Sequence, residues 1–231
     1  MALSQALNHL LDNIIWQTLT GAHAAFSTGT DKARRYAPGF SPILGFADVG
    51  KADLAELVPF CEPGERLYTG GWTGPVAAGW EVVEESSMHV MLWAGAMPER
   101  DEAPESIRLG PEHASQALDL AVLTRPGPFG LRTIELGEYF GLFEGSRLVA
   151  MAGERMCAAP YREISGVCTH PDFQGRGFAR RLTNKLLRRQ MQRGEVAFLH
   201  VLRDNTGASG LYERMGFRNH QERAVRVVAR S

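Results

Sequence analysis

A chain of 231 residues with 44% apolar and 22% charged residues is ordinary globular material, enough for one large domain or two small ones, and its composition is not that of a disordered chain. Its three cysteines, Cys61, Cys157 and Cys168, are odd in number and scattered, with no Cys-x-x-Cys and no Cys/His pairing at ligand spacing; this argues against structural zinc and for a reducing, cytoplasmic setting. The net charge of −1 conceals an asymmetry: residues 171–231 carry 13 Lys/Arg against 5 Asp/Glu, so an anionic ligand is to be sought in the last third.

In chain order, "MALSQALNHLLDNIIWQTL" is interrupted by Asn8, Asp12, Asn13 and Gln17 and reads as an amphipathic helix over about 4–18, not a signal peptide or a membrane span. Strands are expected at 33–36 and 43–46, a helix at 51–59, a strand at 66–69 and two strands within 79–94, and this segment carries no catalytic motif. The run "GAMPERDEAPES", Gly95 to Ser106, with two prolines and four acids, reads as a boundary. It divides an N-terminal α/β segment, 1–100, from a second domain, 101–231.

The second domain opens with a strand at Ile107–Leu109 and a helix near Glu112–Leu123, interrupted by "TRPGPFG". Two strands in "EYFGLFEGSRLVAMAGERM" turn at Glu144-Gly145-Ser146, and a third, "EISGVCTH", stops before Pro171, giving three consecutive antiparallel strands. In the next helix Ala179, Leu182, Leu186 and Leu187 share one face and Arg181, Lys185, Arg188 and Gln192 the other, so Arg180, Arg181, Arg188 and Arg189 read mostly as a solvated face. A strand at 195–202, a short helix ended by Gly216 and a last strand "RAVRVVAR" follow. Strand, helix, strand implies a right-handed crossover and a parallel pair. No repeat of 20–50 residues is evident, although a diverged copy of one half in the other stays open.

The stretch "THPDFQGRGFARRL" places two glycines at the junction of a strand and a helix, where free backbone N–H groups and the helix dipole suit an anion. No Gly precedes a Lys-Ser/Thr pair, so a nucleotide-hydrolysing loop is poorly supported; Arg180 occupies the place of the third glycine of a dinucleotide fingerprint, and Glu195 lies before the next strand rather than at its end. What fits is Gln174-x-x-Gly177-x-Ala179, followed further along by "NTGASGLYERMGF" with Asn205, Ala208, Tyr212, Gly216 and Phe217. Together these resemble the two signature elements of the GNAT superfamily of N-acetyltransferases, over about residues 107–231; "EISGVCTHP" resembles most the branch of glycine N-acyltransferase-like proteins.

The resemblance implies an α/β (α+β) fold: a mixed, mostly antiparallel twisted sheet flanked by helices, with residues 1–100 as a candidate degenerate half on the acceptor side. It implies acetyl-CoA as acyl donor, its pyrophosphate held by Gln174, Gly175, Arg176, Gly177, Phe178, Ala179 and Arg180, and its pantetheine arm along Val167, Cys168 and Thr169, with Asn205 bonding the arm or fixing the strand-to-helix turn. Tyr212 would protonate the leaving thiolate. A primary amine near pKa 10.4 is almost wholly protonated at pH 7, a handicap of roughly 4 to 5 kcal/mol, so a base is useful. Glu163, 11 residues before Gln174, stands at the ungapped spacing of the general-base glutamate in histone acetyltransferases of this superfamily, the other reading being a strand-end glutamate in solvent or paired to an arginine. Cys168 with His170 two residues on lacks an acid to orient the histidine, and His200 reads as a satisfied core histidine.

The expected activity is direct transfer of an acetyl group to a primary amine in a ternary complex. The expected partner is a small-molecule amine or a peptide, not nucleic acid, because the basic helix has no interleaved aromatics; a membrane is not expected, and a homodimer stays open. The rival readings are a non-catalytic acyl-CoA sensor and a transferase using aminoacyl-tRNA.

Overall fold

The computed structural model describes residues 9–231. Residues 9–12 are helical, and after a turn at Asn13 the helix α1 runs Ile14–Thr20; the earlier part of the expected first helix lies outside the described residues. The interruption has a local cause, since the Asn13 side chain donates to the carbonyl of Phe46 at 2.8 Å instead of facing water along the helix. α1 buries Ile14, Ile15, Thr18 and Leu19 against the sheet described below.

Three short strands, β1 (Ser27–Gly29), β2 (Ala33–Tyr36) and β3 (Leu44–Phe46), form a small antiparallel sheet. In place of the expected helix at 51–59 the chain makes two 3-10 turns, Val49–Lys51 and Leu54–Phe60. Asp48 and Asp53 cap them and Pro59 lies within the second, so an α-helical ladder has no room to establish.

The main sheet has eight strands in the order β4-β11-β5-β10-β9-β8-β7-β6. These are β4 (Arg66–Gly70), β5 (Trp80–Trp93), β6 (Ile107–Arg108), β7 (Tyr139–Glu144), β8 (Arg147–Ala158), β9 (Tyr161–Thr169), β10 (Val196–Leu202) and β11 (Phe217–Arg230). Residues 79–94 hold one strand of 14 residues rather than two, because β11 is equally long and pairs with β5 from Trp93 to Trp80. β11 accordingly begins at Phe217, before the "RAVRVVAR" run. The three strands β7, β8 and β9 are antiparallel, and β9 and β10 form the parallel pair expected from the crossover. The segment 95–106 carries neither strand nor helix, and the sheet continues across it: β4 and β5 from the first segment pair with β11 and β10 from the second.

Helices α2 (Ala114–Thr124), α3 (Phe178–Gln192) and α4 (Thr206–Met215) complete the fold. One core cluster joins Leu182, Leu186 and Leu187 of α3 and Tyr212 of α4 to Phe140, Ile164, Leu199 and Val201. The opposite face of the sheet carries α1 with Val90, Tyr161 and Phe198, and α2 with Tyr139, Met151 and Cys168. The sheet is thus a septum with α1 and α2 on one side and α3 and α4 on the other.

The basic face of α3 is ion-paired while part of it stays exposed. The acidic connection lies along it: Arg180 pairs with Glu102, Arg181 with Glu105, Lys185 with Asp101 at 2.5 Å, and Arg188 donates to the carbonyl of Pro98 at 2.7 Å. Arg189 pairs with Glu138 at 2.6 Å. Opposite charge in the acidic connection, invisible to a helical wheel, pairs with the face that periodicity assigns to water.

Candidate active site

The parallel pairing of β9 and β10 covers only Tyr161↔Val196, Arg162↔Ala197 and Glu163↔Phe198. Beyond it β10 runs on against β5 while β9 runs on against β8, so the strands part and leave a wedge between them. A bulge accounts for the bend: Gly166 and Val167 both stand opposite Ala152, and Gly166 has φ +62. A Cβ at Gly166 would sit 3.0 Å from Cε1 of Tyr139, so close approach as well as backbone conformation calls for glycine.

Alternation along the strands assigns side chains to the two faces of this opening. Leu199 and Val201 point to α3; Phe198 and His200 point to α1, their rings 5.5 Å apart. Glu163 shares the α1 face with Tyr161, whereas Val167 packs with the α3 cluster and Thr169, two residues on, shares its side.

Glu163 is not the strand-end residue at water that a proton-accepting role would use. It is 1% exposed and lies at a second bulge, where Arg155 and Met156 both oppose it. The bulge frees the Met156 N–H, which donates to Oε2 at 3.1 Å, while Arg155 closes a two-point ion pair at 2.8 and 3.0 Å and His200 Nδ1 lies 2.7 Å from Oε1. Burial alone would raise its pKa, but the Arg155 guanidinium and the His200 hydrogen bond outweigh it and hold the carboxyl well below the usual range. A carboxylate so held is a poor base at neutral pH. Its geometry is that of an orienting group, and pairing with an arginine, the other reading of this residue, is what occurs.

At the open end of the wedge the chain passes through a 3-10 turn, Pro171–Phe173, into Gln174, Gly175, Arg176 and Gly177. Gly175 and Gly177 have φ +77 and +75, and a Cβ on either would meet nothing within 4 Å. Left-handed glycines alternating with an ordinary residue turn successive N–H groups to one side, a concavity for anions. Gly177 caps α3 without a side-chain acceptor, so the N–H groups of Phe178, Ala179 and Arg180 remain available. Among the described residues Arg176 pairs with no carboxylate, its guanidinium lying 4.8 Å over Phe173, whereas Arg180 is engaged by Glu102. Thr169 Oγ1, on the α3 side of the wedge, is buried without a hydrogen-bond partner among the described residues. Loop, uncapped helix, Arg176 and the Thr169 hydroxyl all lie at or beyond the end of β9 where it leaves β10.

Tyr212 is 8% exposed on the α3 side, edge-on to Phe217 at 5.7 Å. Burial, with a smaller contribution from Cys168, pushes its phenol up to about 12, so it is protonated throughout the neutral range. Asn205 caps α4, Oδ1 accepting from the Ala208 N–H at 3.1 Å, which is the turn-fixing role. The side chain of Cys168 packs among α2 residues; burial raises its thiol to about 11 against the pull of Thr124 and the Met151 backbone. It is an apolar filler, and only its backbone borders the wedge.

Sequence reasoning did not single out Arg155, Gly166 or the pairing of His200. The signals were present but weak: an arginine inside the mostly apolar strand "RLVAMAGERMCA", a glycine inside "EISGVCT", and a histidine inside "FLHVL". Only the pairing of β8, β9 and β10 brings Arg155, Glu163 and His200 together.

A family model described as FR47-like protein matches residues 139–227. A protein of Novosphingobium aromaticivorans, described as an acetyltransferase of the GNAT family, is 31% identical, with 96% of this chain and 98% of that one aligned and a TM-score of 0.86. A GCN5-related N-acetyltransferase of Kribbella flavida shares the fold at TM-score 0.60 and 15% identity, over 94% of each chain. The N-alpha-acetyltransferase RimI of Mycobacterium tuberculosis is 39% identical over 82 residues, 34% of this chain, which spans about half the length of that relative. The wedge, the glycine loop and the chain-long likeness lead to one assignment: this chain belongs to the GNAT superfamily of N-acetyltransferases.

Proposed function

We propose that the protein transfers an acetyl group from acetyl-CoA to a primary amine by direct attack within a ternary complex. The observation that carries this reading is the wedge between β9 and β10, which opens onto the glycine loop at one end and closes at Glu163 and Phe198 at the other. The pyrophosphate would rest on the N–H groups of residues 175–180 with Arg176, and the pantetheine arm along Val167 to Thr169. A backbone N–H of the bulged segment would polarise the thioester carbonyl. Tyr212, protonated and on the coenzyme side, would give its proton to the departing sulfur.

The acceptor would arrive from the α1 face, where residues of the N-terminal segment meet the sheet. The RimI relative is named an N-alpha-acetyltransferase, and this makes a peptide amino terminus the first acceptor class to try, with small amines next. A cytoplasmic setting belongs to the same reading: all three cysteines are free and buried, and among the described residues no helix is long and apolar enough to cross a membrane.

Calorimetric titration with acetyl-CoA, followed by thiol release over a panel of peptides and small amines, tests the proposal. Binding with product formation is expected. Binding without product over the whole panel would leave an acyl-CoA sensor, and no binding would sink both.

A further inference from the structure

We infer that His200 is the group that takes the proton from the incoming amine, and that Glu163 acts through it as a positioning residue. The inference rests on the acetyltransferase reading and goes beyond it by replacing the expected base with a histidine–carboxylate pair.

Three observations meet at the ring. First, Nδ1 lies 2.7 Å from Oε1 of Glu163, while the rest of that carboxylate is saturated by two bonds from Arg155 and one from the Met156 N–H. An ionised carboxylate accepts only, so Nδ1 must carry the hydrogen of that bond, and in the neutral ring the lone pair is on Nε2. Second, Nε2 has no hydrogen-bond partner among the described residues; the side chain keeps 10% of its surface exposed and lines a small cavity with Asn13, Ile15, Gly70, Met88 and Arg223. Third, His200 stands two residues past Phe198, the position at which β9 and β10 part, on the face opposite Tyr212. The carboxylate orients, the imidazole accepts, and the acid waits across the opening; the same division of labour between carboxylate and imidazole operates in serine hydrolases.

The protons balance. The ammonium gives one proton to Nε2, which passes it to solvent, and the freed lone pair forms the new C–N bond. The C–S bond breaks with its electron pair on sulfur. The nitrogen's second proton is lost as the amide forms, and the sulfur is neutralised by the proton of Tyr212, which is replenished from it through solvent.

The charged and titratable groups facing His200 are Glu163 on β9, Arg155 on β8 behind it, and Arg223 on β11 with Asp12 beyond. None other than Glu163 bonds to the ring among the described residues.

The test combines a spectrum with a kinetic split. Nitrogen-15 histidine spectra of the whole chain, assigned by His200→Gln, are expected to show the proton of the neutral ring on Nδ1. With acetyl-CoA as donor, His200→Gln, whose amide can keep the bond to Glu163, is expected to slow transfer to a short peptide with a free amino terminus by about 10²–10⁴-fold. The variant's rate should rise with pH only as the free amine of the peptide appears, so its pH–rate profile should differ from that of the wild type. Transfer to hydroxylamine, unprotonated at neutral pH, should fall far less, and acetyl-CoA binding by calorimetry should be unchanged. A ring protonated on Nε2, an unaltered pH profile, or equal losses for both acceptors would overturn the role of His200 while leaving the function standing. Failure of the wild type to bind acetyl-CoA would instead remove the function on which it rests.

Discussion

Tyr212 and Glu163 lie on opposite faces of the same opening in the sheet, Tyr212 with α3 and α4, Glu163 with α1. In the proposed reaction, an amine arriving from one side and a thiol departing to the other would not compete for space. The separation is a consequence of strand geometry, since side chains flanking a gap between two strands must point to one face or the other.

For Tyr212 this implies a split between binding and turnover. Tyr212→Phe removes a hydroxyl with no protein hydrogen bond among the described residues, so the melting temperature is expected to hold within about 2 °C and acetyl-CoA affinity within about two-fold. Thiol release is expected to slow by about 10²-fold or more. Because the phenol is pushed up to about 12, Tyr212 contributes no basic limb to the wild-type rate profile below about pH 11. Unchanged turnover in this variant would take Tyr212 out of the mechanism.

Gly177 sits at φ +75 with open space around it, so any effect of a side chain there is an effect of backbone conformation and not of collision. Gly177→Ala is expected to cost about 1–2 kcal/mol of strain, relieved by turning the loop N–H groups away from the anion. Gly177→Asn should do better, because asparagine tolerates the left-handed region. Calorimetry should therefore rank acetyl-CoA affinity as glycine, then asparagine, then alanine; alanine matching glycine would show that the loop does not hold the ligand.

The loop and the α4 motif were legible in the sequence because they are local. Gly175 and Gly177 adopt the left-handed conformations that their residue type permits, and Asn205 caps the helix that follows it. Strand existence was equally legible in β7, β8 and β9, from the tight turn at Glu144-Gly145-Ser146 and the β-branched run before Pro171. What escaped depended on pairing at long range. The single strand β5 is one strand only because β11 lies beside all of it. The arginines of α3 meet acids some 80 positions away, a partnership that a helical wheel does not contain. Glu163 shows the limit most clearly: its spacing from the loop suggests a base, and only the bulge that sets Arg155 and Met156 against it makes it an ionised strut.

The Arg180–Glu102 contact joins the acidic connection to the first turn of α3, next to the uncapped N–H groups. A phosphate approaching that turn meets Glu102 as a nearby like charge and must draw Arg180 from its partner. Glu102→Gln is therefore expected to raise acetyl-CoA affinity at low salt, by up to about five-fold given what exposed ion pairs are worth. The gain should shrink as salt screens the contact. Weaker binding in the variant would mean that the connection supports the loop instead of competing for its arginine.

The buried pair of Arg155 and Glu163 makes a stability forecast whose sign follows from the direction of the pKa shift. Glu163 is held below its ordinary value in the fold, so folding favours the ionised form. That contribution is complete above the unfolded carboxylate value of about 4.3 and is lost as pH falls below it. Urea unfolding at pH 7 and pH 4 is expected to show a larger loss for the wild type than for Glu163→Gln, which has no such proton to take up. At pH 7 Glu163→Gln leaves a buried guanidinium without its counter-charge and is expected to cost about 3–5 kcal/mol. Replacing both residues, Arg155→Met with Glu163→Leu, should recover much of it, since neither half of the pair is then stranded. A Glu163→Gln cost under about 1 kcal/mol, or equal acid sensitivity in both proteins, would show that the carboxylate is not the counter-charge that holds Arg155 in the core.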